Sequence, residues 1–132
     1  MIDSPAPTGR ELEILKLLWE SGPASVRTVY AQMLANQPKG KDLAYNTVQT
    51  LMRLMEEKGL VSHKIEGRTF VYSAEYSREQ TAVRFLDRVF DGAAADLVLS
   101  LLQAERISPD ELERVQKLIA DARKKRKVEG QS

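Results

Sequence analysis

Four side chains in one stretch have the types and spacing for recognition chemistry: Asn46, Gln49, Thr50 and Arg53, within LAYNTVQTLMRLMEEKG at residues 43–59. They stand three and four apart, with Glu57 completing the row, so on a helix they share a face. Amide, hydroxyl and guanidinium groups are the ones that pair with base edges in a DNA groove. The opposite face holds Val48, Leu51, Met52 and Met55, at the period of about 3.6 that marks an amphipathic helix. The alternative is a core helix with an ordinary polar outside.

The elements around this helix must hold it. Gly59 sits where a glycine after a helix end belongs, and Leu60 is placed to pack back on Met55. Two strand-like runs follow, Leu60–Glu66 and Arg68–Ala74, joined at Gly67. In the first, Val61, His63 and Ile65 alternate with Ser62, Lys64 and Glu66; in the second, Phe70 and Tyr72 share a face. A two-stranded hairpin is not stable alone, so it is expected to pack on the first helix through Phe70 and Tyr72. Lys64 and Arg68, flanking Gly67, suit a wing lying on a phosphate backbone. The alternative is an exposed hairpin kept soluble by its charges. A polar-faced helix followed at once by a hairpin predicts a winged helix-turn-helix.

Upstream, Met1–Pro7 reads as a loose arm, and Thr8-Gly9-Arg10-Glu11 fits the reciprocal capping box of a helix start. Leu12, Leu15, Leu18 and Trp19, widened by Ile14 and Leu17, form that helix's buried stripe, and Gly22-Pro23 ends it. Ser25 caps a second helix with Val26, Val29, Tyr30, Met33 and Leu34 inward; residues 36–41 are a loop punctuated by Pro38 and Gly40. The expected nucleic-acid contacts are Arg27, Thr28, Lys41, Tyr45, Asn46, Thr47, Gln49, Thr50, Arg53, Lys64 and Arg68.

From Ser77 strand signals vanish and three helices are predicted, at about 78–91, about 93–105, and from Pro109 on. Ser108 caps the third, Glu111 completes its capping box and Ile107 staples to Leu112. Each is apolar along one side, yet together they number fewer than sixty residues, too few to close a core easily. The economical reading is a second copy covering those faces; the alternative is one monomeric core shared with the N-terminal half. The expected dimer seam is Phe85, Leu86, Leu97, Leu101, Leu112, Val115 and Ile119. The expected domains are 1–75, which reads DNA, and 76–132, which dimerises and ends in the basic tail Arg123–Lys127.

The whole chain is 132 residues with 42% hydrophobic content and a formal net charge of +1. Residues 1–75 carry nine Lys/Arg and nine Asp/Glu, so any positive surface there must be local. Cysteine is absent, which removes disulfides and thiolate metal sites. No apolar run is long enough to cross a membrane and the N-terminus has no signal-peptide pattern, so a cytoplasmic location is expected by exclusion. His63 is the only histidine, too few for a zinc site or a His-based triad. No P-loop and no G-x-G-x-x-G occurs, while the carboxylate pairs Glu56-Glu57 and Asp110-Glu111 sit at helix ends. No catalysis, metal or cofactor is expected.

Four stretches carry a resemblance: ELEILKLLWESGPASVRTVY, AYNTVQTLMRLMEEKGLVSHKIEGRTFVYS, FLDRVFDGAAADLVLSLL and ISPDELERVQKLI. In that order the chain resembles the penicillinase-repressor family of bacterial transcription regulators. The resemblance implies a mainly α fold with a small β-hairpin, an N-terminal winged-helix domain and a C-terminal helical dimerisation domain. It implies repression from inverted-repeat operators on double-stranded DNA. In beta-lactam-responsive members it implies relief through a membrane-bound zinc metalloprotease sensor, acting directly or indirectly, with cleavage in the dimerisation domain. The scissile Asn-Phe pair of the family falls on Ser100-Leu101, where both residues differ. The C-terminal cysteine motif of copper-responsive members is missing. A different class of reading is a winged-helix protein-interaction module that reads no DNA, in keeping with the neutral N-terminal half.

Overall fold

The computed structural model describes residues 7–37 and 42–130. The element order is α1 (Gly9–Ser21), β1 (Ala24–Ser25), α2 (Val26–Ala35), α3 (Tyr45–Glu57), β2 (Val61–Glu66), β3 (Thr69–Ala74), α4 (Arg78–Phe90), α5 (Ala94–Gln103) and α6 (Pro109–Gly130). The fold is mainly α with a small antiparallel sheet, in the order helix, short strand, helix, helix, hairpin that defines a winged helix. By Cα proximity the chain divides into two compact units, Met1–Phe85 and Leu86–Ser132.

The first unit closes a core. The Thr8 hydroxyl accepts from the Glu11 backbone N–H at 3.4 Å and the Glu11 carboxylate accepts from Thr8 N–H at 2.9 Å, the expected capping box. α1 then buries Ile14, Leu15, Leu17 and Leu18 against Val26, Val29 and Met33 of α2 and Val48, Met52 and Met55 of α3. Leu34 stays exposed although it was expected inside: one residue past the inward Met33, it is rotated about 100° off the buried stripe. Leu12 and Trp19 are half-buried; the Trp19 indole N–H donates to the Tyr76 carbonyl at 2.9 Å.

Glu11 is buried as well as capping, which the sequence pattern did not indicate. Lys58, just past α3, places its ammonium 2.7 Å from the Glu11 carboxylate. Burial alone would raise that carboxyl, but the Lys58 and Thr8 hydrogen bonds together hold it below the ordinary carboxylate value.

The sheet has three strands in the order β1-β3-β2, all antiparallel. The expected hairpin is β2–β3; β1, only two residues long, adds Ala24 opposite Tyr72 and Ser25 opposite Val71. Thus Tyr72 is buried, flanked on both sides by strands, while Phe70 stays 45% exposed and stacks on His63. The expectation that both aromatics anchor the hairpin in the core is met only by Tyr72, because Phe70 lies opposite Ile65, beyond the reach of β1.

In the second part of the chain, the helix starts follow the capping rules. Ser77 and Gln80 form a capping box at α4, and Ser108 and Glu111 form one at α6. α6 continues past the expected apolar positions through the whole basic run to Gly130, so Arg123–Lys127 is helix rather than a trailing tail. Among the described residues from 77 to 130, none is buried. No helix among the described residues is long and apolar enough to cross a membrane.

Candidate nucleic-acid interface

α3 ends in a complete glycine-terminated cap. Leu60 N–H bonds the Met55 carbonyl at 2.9 Å and Gly59 N–H bonds the Glu56 carbonyl at 3.0 Å, with Gly59 at φ +80°, a conformation that favours glycine. This termination turns the chain directly into β2, so the polar-faced helix and the hairpin are coupled through three residues.

With about 100° per residue, the exposed face of α3 centres on Asn46, Thr50, Arg53 and Glu57. Gln49 flanks one side of it; Thr47 lies well to the other side, and Tyr45 lies at the margin toward α2. All of these residues are exposed, while Val48, Met52 and Met55 are fully buried. Tyr45 meets Tyr30 of α2 edge to face at 5.5 Å, which braces the start of α3. The Arg53 guanidinium lies 3.4 Å from the Glu57 carboxylate one turn on, both largely exposed. Such an exposed pair is worth only about 0.3–0.5 kcal/mol, so Arg53 exchanges it readily for another anion.

Arg27 and Thr28 are exposed in the first turn of α2. There the Ser25 hydroxyl accepts from Thr28 N–H at 3.2 Å and donates to the Thr28 hydroxyl oxygen at 3.1 Å. The Thr28 O–H therefore remains able to donate outward, beside a helix N-terminus whose amides suit a phosphate. Lys41 lies outside the described residues.

The wing turns at Gly67-Arg68, where Glu66 pairs with Thr69. Gly67 has φ +64° and Arg68 does not have a positive φ, the signature of a two-residue hairpin turn with glycine first. Lys64 and Arg68 are exposed and have no ion-pair partner among the described residues. Ile65 is 63% exposed, so the wing leaves the core after His63.

The structure thus brings Asn46, Gln49, Thr50 and Arg53 onto one open face, with Arg27 and Thr28 on α2 and Lys64 and Arg68 on the wing. One contact beside this face escaped sequence reasoning. Glu56 holds His63: the imidazole Nδ1 lies 2.7 and 2.8 Å from the two carboxylate oxygens. A carboxylate only accepts, so Nδ1 carries the hydrogen and donates. The His63 ring stacks on Phe70 at 4.2 Å and lies 5.5 Å from Tyr72. Burial, and then the Glu56 charge, push the Tyr72 phenol above its ordinary value, with Arg53 pulling the other way. The seven-residue separation of Glu56 and His63 across a helix end has no periodic signature.

A family model described as penicillinase repressor matches residues 7–121. The chain is 24% identical over 127 residues to a penicillinase repressor of Bacillus licheniformis, covering 93% of this chain and 96% of that one. It is 24% identical over 113 residues to the methicillin resistance regulatory protein MecI of Staphylococcus aureus, covering 83% and 89%. Among solved structures, a MarR family protein from Bacillus stearothermophilus aligns with a TM-score of 0.45 at 20% identity, over 91% of this chain and 75% of that one.

Proposed function

This chain belongs to the penicillinase-repressor family, and from that premise we propose that it represses transcription as a homodimer bound to inverted-repeat DNA. Residues 1–75 read the operator and residues 76–132 dimerise. α3 lies in the major groove with Asn46, Gln49, Thr50 and Arg53 on base edges or adjacent phosphates. Arg27 and Thr28 meet the backbone from α2; Lys64 and Arg68 meet it from the wing. The observation that carries this reading is the face of α3: a row of amide, hydroxyl and guanidinium groups, open to solvent, on a helix whose other side is locked in the core. A helix held that rigidly presents its polar row at fixed spacing, as groove readout requires.

Dimerisation is supported by the burial pattern. Phe85, Leu101, Leu112 and Ile119 are exposed, and Leu86, Leu97 and Val115 only half-buried, leaving apolar helix faces for a second copy to cover. Two-fold symmetry then calls for two half-sites spaced by about one or two helical turns of DNA. Relief comes from proteolysis in the second half, under a membrane-bound metalloprotease sensor acting directly or indirectly. The bond proposed is Ser100–Leu101, exposed in the second half of α5. There the Ser100 hydroxyl donates to the Asp96 carbonyl at 3.0 Å, so cutting requires local unwinding of that helix. The scission splits α5 and separates α6 from the reading unit.

Selection of duplexes from a randomised library by the full chain tests the reading. A palindromic consensus is expected, and Arg53→Ala is expected to cost about 1–3 kcal/mol in affinity for it. Recovery of no consensus would favour the protein-interaction module over the repressor. Arg53→Ala with unchanged affinity and sequence preference would remove α3 as the reading element.

A further inference from the structure

We infer that Glu56 and His63 are positioning residues that set the wing's approach to DNA from the reading helix itself. This rests on the DNA-reading function above and adds a specific device to it. Glu56 sits in the last turn of α3 and His63 is the third residue of β2. From Lys64 through Phe70 every residue is exposed, so His63 marks the point at which the wing leaves the core. One residue further, past Lys64 and its partner Val71, which still pairs with Ser25, the ladder has only the two strands β2 and β3, and two strands in water hold their own orientation weakly.

Two contacts replace the missing support. The Glu56 carboxylate grips Nδ1 with both oxygens, and the imidazole plane lies within 10° of the Phe70 ring. His63 therefore takes one side of its orientation from α3 and passes it to β3. Lys64 is the next residue on β2, and Arg68 sits two residues before Phe70. Both wing cations ride on strands whose angle this clamp sets. The side chains of Glu56 and His63 are about a third and a quarter exposed, at the edge of the closed core rather than at its centre.

The test measures the affinity of the full chain, by fluorescence anisotropy against salt concentration, for a labelled duplex that the chain itself selects from a randomised library. Lys64→Ala with Arg68→Ala supplies a background without wing cations. Each phosphate contact contributes about 0.9 to the slope of log affinity against log salt, equivalent to about eightfold in affinity at 0.1 M. Glu56→Ala and His63→Ala are each expected to lower the slope by about 1 in the native background and to leave it unchanged in the wing-less background. Glu56→Gln, whose amide oxygen still accepts from Nδ1–H, is expected to keep the native slope.

A slope that Glu56→Ala and His63→Ala leave unchanged, or lower equally in both backgrounds, would overturn the clamp while leaving the repressor reading intact. Failure to select a duplex, or a wing-less variant with the native slope, would instead remove the DNA-bound wing, and the clamp with it. A native melting temperature beside a lowered slope separates positioning from folding.

Discussion

Residues 8–74 and residues 78–130 have the same kind of apolar periodicity and opposite outcomes. In the first, α1, α2, α3 and the sheet converge on fully buried Ile14, Val29, Met33, Val48, Met52 and Met55. In the second, α4, α5 and α6 carry apolar faces of similar quality and bury no residue. Periodicity reports that a face must be covered; it does not report whether the cover comes from the same chain. The first region is a closed unit, with the polar face of α3 left on its surface. The second leaves its apolar faces open, which is what the proposed dimer would cover.

Mutations at matched positions sharpen this contrast. Met52→Ala removes a fully buried side chain and is expected to cost about 2–5 kcal/mol in urea unfolding at every protein concentration. Leu101→Ala is expected to cost little in dilute protein and progressively more as concentration rises, because the cover proposed for it is a second copy. A Leu101→Ala penalty independent of concentration would break the contrast, and so would sedimentation of the full chain as a monomer at micromolar concentration.

A smaller effect comes from the ion pair inside the closed unit. Lys58→Ala leaves the buried Glu11 carboxylate without its ammonium and is expected to cost about 2 kcal/mol. The folded Glu11 carboxyl lies below its ordinary value of 4.5, so its stabilising contribution is complete above that pH. The contribution is lost as pH falls through the lower folded value. Unfolding free energy measured from pH 6 down to pH 3 should therefore decline less steeply in Glu11→Gln than in the native chain. Parallel profiles would show that this carboxylate does not contribute to acid sensitivity.

The smallest effect belongs to the second region. Two residues past the end of α5, Glu105 has φ +55°, in a cap where Glu105 N–H bonds the Leu102 carbonyl at 3.1 Å and Arg106 N–H bonds the Leu101 carbonyl at 2.9 Å. A non-glycine residue is strained there, so Glu105→Gly is expected to stabilise by up to about 1 kcal/mol, offset in part by the greater freedom of glycine when unfolded. A lower melting temperature for Glu105→Gly would show that the Glu105 side chain contributes more than its backbone costs.

Much of the fold was legible because local chemistry dictates it. The Thr8–Glu11 and Ser108–Glu111 caps, the glycine stop at Gly59 and the Gly67 turn each lie within a few residues of the partner they satisfy. The shared, exposed polar face of α3 was legible for the same reason, since three-and-four spacing is a property of one helix. β1 was not, because two residues have no period and their partners, Val71 and Tyr72, lie more than forty positions away. The burial of Glu11 was hidden by its obvious role as a cap, and Lys58, its partner, stands forty-seven residues on. The helical continuation through Arg123–Lys127 was hidden by charge, since a helix polar on every side has no stripe to read.

The Arg53–Glu57 pair has a consequence for time rather than for affinity. A repressor meets vast numbers of wrong sequences before its own, and each costs the interval it takes to let go. On the proposed reading, a phosphate on a wrong sequence must draw Arg53 away from the Glu57 carboxylate, a competition worth about 0.3–0.5 kcal/mol, which shortens the contact by about twofold. On the right one, the base contacts proposed for Arg53 outlast that competition. Neutralising Glu57 would remove that competition and lengthen each such contact of the proposed reading helix by about the same twofold.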